Sequence, residues 1–120
     1  MRIYGVLTGL AVATAFCAAS AGDVEIVGAK ATRSGETWRI DVTLLHGDTG
    51  WDHYADAWRV IGPDGTELGT RVLAHPHVDE QPFTRSLGGV RIPEGVTEVT
   101  IEAHDKVHGW SEQTYKLELE

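Results

Sequence analysis

The 120-residue sequence contains one cysteine, one methionine and four prolines, and it is short of positive charge, with ten Lys+Arg against 18 Asp+Glu for a formal net charge of −8. Each shortage excludes something. A single cysteine, Cys17, allows no intramolecular disulfide, so the fold must be held by its core alone. No cysteine or methionine follows position 17, which excludes a blue-copper centre and a thioether site for Cu(I) from the rest of the chain. The acidic balance argues against nucleic acid and anionic membrane surfaces as partners. Long apolar runs are lacking too. The one continuous stretch covers residues 3–16, below the ~20 residues that a membrane span requires.

That stretch follows Arg2 and precedes Ala19-Ser20-Ala21, small residues at the positions read by signal peptidase. Residues 1–21 therefore read as an export signal cleaved after Ala21, which sends residues 22–120 to the periplasm or outside the cell as one small domain. Lipid attachment at Cys17 is the alternative, and the large Phe16 before it departs from the small residue that such a site needs.

Beyond the leader no 3.6-residue period is sustained. Short alternating runs appear instead: Val24/Ile26, Trp38/Ile40/Val42/Leu44, Trp58/Val60, residues 68–73, residues 83–87, Val99/Ile101/Ala103 and Tyr115/Leu117/Leu119. Alternation with period two places every second side chain on one face of a strand, so the sequence predicts an all-β protein of about seven strands. Tight breaks at Arg33-Ser34-Gly35-Glu36, Gly62-Pro63-Asp64-Gly65 and Ile92-Pro93-Glu94-Gly95 alternate with long polar ones at residues 46–56, 74–82 and 104–113. If successive strands run antiparallel, every second connection lies at the same end. The tight turns then share one pole and the long loops the other.

Trp38-Arg39-Ile40-Asp41-Val42, Ala57-Trp58-Arg59-Val60 and the Ile92-Pro93-Glu94-Gly95 corner leading into Val99 and Ile101 give the chain a pattern that resembles an immunoglobulin-like or fibronectin type III-like sandwich. The resemblance implies an antiparallel sandwich with Trp58 on the third strand filling the core. It implies no particular function, because this architecture carries adhesion, binding and metal-site proteins alike.

All six histidines lie in or beside the long connections: His46, His53, His75, His77, His104 and His108. Imidazole is the commonest side-chain ligand of Zn²⁺ and Cu²⁺, and a nearby carboxylate can complete the shell or orient a ring. In His75-Pro76-His77 the proline favours extended backbone before it, and residues two apart then project to one side. His46 continues the inward phase of Trp38/Ile40/Val42/Leu44, whereas His104 is out of phase with Val99/Ile101/Ala103. The expected order of ligands is His75 and His77, then His46, then His104 or His108, with His53 beside them and Asp48, Asp52, Asp79, Glu80 and Asp105 supporting. Cu(II) or Zn(II) is the expected ion in a non-enzymatic exported protein. The competing account is an imidazole and carboxylate network that serves only structure.

Trp51, Tyr54 and Trp110 occupy the same loops. They offer a second reading, recognition of an envelope protein or a glycan through flat aromatic surfaces. Their structural alternative is that Trp51 and Trp110 fold over the end of the sandwich and seal it. Ser86 and Ser111 lack a Gly-x-Ser-x-Gly turn, and acidic pairs such as Asp52 and Asp56 read as solvated.

Overall fold

The computed structural model describes residues 23–120, so residues 1–21, expected to be an export signal, and Cys17 within them lie outside the described residues. It consists of β1 (Glu25–Ser34), β2 (Thr37–Leu45), β3 (Ala55–Ile61), β4 (Glu67–Val72), β5 (Phe83–Val90), β6 (Glu98–Asp105), β7 (Gly109–Trp110) and β8 (Tyr115–Glu118), with no helix among the described residues. The strands form a three-stranded sheet ordered β1-β2-β5 and a five-stranded sheet ordered β4-β3-β6-β7, in which β8 also pairs with β6. Every pairing is antiparallel. The chain is thus an all-β sandwich, as the alternation predicts.

The core comes from the inward set of each central strand. Trp38, Ile40, Val42 and Leu44 of β2 face Trp58 and Val60 of β3 and Val99, Ile101 and Ala103 of β6, all buried. Full burial of one such side chain contributes about 1.5–3 kcal/mol. This apolar layer takes over the role that a disulfide plays in many small domains.

The extra strand, β7, comprises two residues. At Gly109 the backbone adopts φ 80°, a conformation open to glycine, and the chain turns back so that Trp110 pairs with His104 and Gly109 with Asp105. Two residues are too few to show alternation in the sequence.

Two of the tight turns sit side by side, with Gly62 and Pro63 sharing a groove with Gly95 and Val96. The three long loops meet elsewhere. Asp48 of the first accepts a hydrogen bond from the His77 main chain of the second at 2.8 Å, and His46 lies against Asp105 at the start of the third.

Candidate metal centre

The polar site continues the apolar core. On β2 the inward phase runs through Trp38, Ile40, Val42 and Leu44 and reaches His46 and Asp48 just past the strand's end. On β6 it runs through Val99, Ile101 and Ala103 to Asp105. His46, Asp48 and Asp105 are accordingly buried, and the side chain of each is wholly withdrawn from solvent. A buried charged or polar group is costly unless it is paired, and here each one is.

Asp48 organises the first loop. Its Oδ1 accepts from His46 Nδ1 at 2.5 Å and from the Ala55 main chain at 3.1 Å, while Oδ2 accepts from the His77 main chain at 2.8 Å. Since the carboxylate only accepts, Nδ1 of His46 carries the donated proton, and the other ring nitrogen is Nε2. That nitrogen lies 3.5 Å from Oδ2 of Asp105. Gln81 adds a clamp: Oε1 accepts from the His46 main chain and Nε2 donates to the His77 carbonyl, both at 2.9 Å.

Asp105 is the hub of the third loop. Burial would raise its pKa, but the His108 main chain and ring and the Val107 main chain all hydrogen-bond to it and hold it below the usual carboxylate range. Those main-chain bonds, at 2.6 Å from His108 and 2.9 Å from Val107, both reach Oδ1. Around the fixed anion stand three imidazoles. His46 is at 3.5 Å, His53 Nε2 at 3.6 Å, and His108 Nδ1 at 3.1 Å. His53 Nε2 is buried and makes no hydrogen bond. The ring centroids of His46 and His53 are 4.7 Å apart, and those of His53 and His108 are 5.1 Å apart.

Donor atoms of His46, His53 and Asp105 lie within 4.8 Å of one another, as do those of Asp23, Asp105 and His108. Around a tetrahedral ion with bonds of ~2.0–2.2 Å, neighbouring donors are separated by ~3.3–3.6 Å. His46 Nε2 lies 3.5 Å from Oδ2 of Asp105 and His53 Nε2 3.6 Å from Oδ1, so each imidazole is about one such edge from a different oxygen of the same carboxylate. Asp48 stands behind His46 as the carboxylate behind a metal-ligating histidine does, fixing its tautomer and orientation.

The remaining sequence-derived residues are distributed differently. His75 and His77 form a pair with ring centroids 4.8 Å apart, joined to Asp48 through the His77 main chain. His77 stacks on Phe83 at 3.9 Å and 13°. Burial lowers the His77 pKa, Arg85 and His75 lower it further, and Glu80 and Asp48 oppose them. His104 is in neither group. It points outward, as its phase requires, and bonds Asp56 at 2.5 Å. Asp52 and Asp79 are exposed, and Glu80 pairs with Arg85 at 3.1 Å.

The sealing role expected of the tryptophans is not what the structure shows. Trp51 is 64% exposed, resting edge-on against the buried Tyr54 at 5.7 Å. Trp110 lies on the outer face of the five-stranded sheet, between Arg59 at 3.7 Å and His104 at 4.8 Å. Gln81 is a partner that the sequence does not announce, and Asp56, expected to be solvated, instead bonds His104. Neither type is diagnostic at a loop or strand position, so only the three-dimensional pairing reveals them.

No family model matches the chain. It is 42% identical over 86 residues to a Halomicrobium mukohataei protein named "Putative lipoprotein", in a match that covers 72% of this chain and 42% of that protein. The chain therefore spans less than half the length of the curated relative it matches. The crystal structure of a hypothetical protein from Pyrococcus horikoshii OT3 superposes with a TM-score of 0.56 at 11% identity, over 84% of this chain and 93% of that one. That likeness shows a shared β fold. Among the described residues no helix is long and apolar enough to cross a membrane.

Proposed function

We propose that this chain is an exported, non-enzymatic sandwich domain that binds one divalent transition-metal ion, Cu(II) or Zn(II), through His46, His53 and Asp105, with His108 and Asp23 at the solvent side. The observation that carries this reading is the pair of imidazoles at 3.5 and 3.6 Å from one buried carboxylate. His46 is held by Asp48, and the buried Nε2 of His53 makes no hydrogen bond. Two nitrogens and a carboxylate suit a borderline cation better than calcium, which takes oxygen ligands. Calorimetric titration of the purified protein with Cu²⁺ and with Zn²⁺ tests it. A stoichiometric site that His46→Ala plus His53→Ala removes is expected, and binding no tighter than that of an ordinary surface histidine pair would overturn the reading.

The order β1-β2-β5 over β4-β3-β6, with β7 and β8 both paired to β6, supports a fibronectin type III-like plan for the sandwich. The name of the Halomicrobium relative supports export. Cleavage after Ala21 and acylation at Cys17 leave different masses, so intact mass spectrometry of protein from the native envelope distinguishes the two. The exposure of Trp51 favours a second reading, capture of a protein or glycan partner at this pole. Trp51→Ala would then abolish capture while leaving the metal titration intact.

A further inference from the structure

The buried trio leaves His75-Pro76-His77 unused, although both rings are held in place. The backbone of His77 is pinned on two sides: its N–H donates to Asp48 and its carbonyl accepts from Gln81. Its ring lies flat on Phe83. The side chain is only 3% exposed, yet neither Nδ1 nor Nε2 makes a hydrogen bond. A neutral imidazole carries one donor and one acceptor, and native interiors rarely leave both unmatched. Nδ1 lies 4.0 Å from Oδ2 of Asp48, and the residue lines a groove together with His75, Trp51 and Asp79.

His75 supplies the second half. Its ring is exposed, and Nδ1–H donates to the Pro76 carbonyl at 3.1 Å, which leaves the lone pair on Nε2. A backbone carbonyl on one ring nitrogen is a usual way of orienting the other toward a metal. Two imidazoles on one ion, with bonds of ~2.0–2.1 Å at ~90–109°, place their ring centroids ~4.5–5.2 Å apart. The observed separation is 4.8 Å.

We propose that His75 and His77 form a second position for a Cu(II) or Zn(II) ion, at the groove beside Trp51 and separate from the buried trio. Asp48 stands between the two positions, with Oδ1 on the His46 ring and Oδ2 on the His77 main chain. With two protein ligands and an open groove, water completes the shell, so this ion exchanges with solvent more readily than one at the buried trio. The inference extends the metal reading above but rests on different residues, so each can fail alone.

Trp51 provides the readout, since bound Cu²⁺ quenches a neighbouring indole. Purified protein is titrated with Cu²⁺ while fluorescence is followed, with the stoichiometry measured in parallel by calorimetry. Two equivalents are expected, the weaker one accompanied by a quench that Trp51→Phe removes without changing the stoichiometry. His75→Ala alters an exposed ring and spares the core. It should weaken that equivalent at least tenfold and abolish the quench, while the tighter equivalent stays. His46→Ala plus His53→Ala should do the reverse. A single equivalent that leaves Trp51 unquenched in the unaltered protein, or unchanged stoichiometry and quench in both His75→Ala and His75→Ala plus His77→Gln, would overturn the groove position. Loss of the quench in His75→Ala with no effect of the His46 and His53 substitutions would overturn the buried position alone.

Discussion

Nδ1 of His46 lies 2.5 Å from Oδ1 of Asp48, and the side chains of both residues are wholly buried. The pair explains why a histidine can sit at the end of a hydrophobic strand. Its Nδ1–H is taken up by a carboxylate two residues on, and that carboxylate is itself satisfied by the main chains of Ala55 and His77. Replacing Asp48 by Asn keeps the shape but leaves one accepting oxygen where two are in use. At least one N–H then faces an amide NH₂, at a cost of about 1–3 kcal/mol. Asp48→Asn should also weaken Zn²⁺ or Cu²⁺ binding about 10–100-fold, the usual effect of removing the group behind a metal-ligating histidine. Competition titration against a chelator of known affinity measures this, and unchanged affinity would remove Asp48 from the site.

Metal loading should stabilise the fold, because the ligands come from loops that the unfolded chain separates. A ligand at 100 times its dissociation constant contributes about 2.7 kcal/mol, which for a domain of this size raises Tm by roughly 10–20 °C. Differential scanning calorimetry with Zn²⁺, then with excess EDTA, should show the rise and its reversal. In His46→Ala plus His53→Ala most of the rise should vanish.

His104 provides a control. It bonds Asp56 and meets the edge of Trp110 on the outer face, whereas Asp105, the next residue, faces inward with no exposure. His104→Ala should leave metal affinity within about twofold and cost no more than about 1 kcal/mol of stability, as part-exposed pairs do. A loss of a whole equivalent of metal in this variant would contradict the division of the histidines described above.

The contrast between those two neighbours shows what the sequence makes legible. Period-two phase predicts the inward set of β2, the burial of Trp38 and Trp58, the inward position of His46 and the outward one of His104. The same phase applied to Val99/Ile101/Ala103 leads to Asp105, which turns from a supporting residue into the hub. Alternation of tight and long connections predicts the meeting of three loops. What stays hidden is the division of the imidazoles into two groups. It depends on Asp48 lying between His46 and the 74–82 loop, on the Gln81 clamp and on the turn at Gly109, none of which has a periodic signature. The exposure of Trp51 is hidden for a related reason, since Tyr54 already fills the space beneath it.

A pH dependence follows from His77. Burial, Arg85 and His75 lower its pKa in the folded chain below the unfolded value of about 6.5. Between the folded and unfolded values the unfolded chain holds the extra proton, so stability rises with pH across that window. The contribution is complete above about pH 6.5 and is lost progressively as pH falls toward the folded value. Asp105 acts in the same direction but lower. Its depressed pKa gives a contribution that is present above about pH 4 and lost below it. Urea unfolding with a chelator present, from pH 7.5 to 5, should therefore show stability falling with acid. One proton accounts for at most about 1.4 kcal/mol per pH unit. His77→Gln removes the titrating ring while leaving its neighbours, so its stability should fall less steeply over the same range. Identical slopes in the two proteins would mean that this ring titrates alike folded and unfolded.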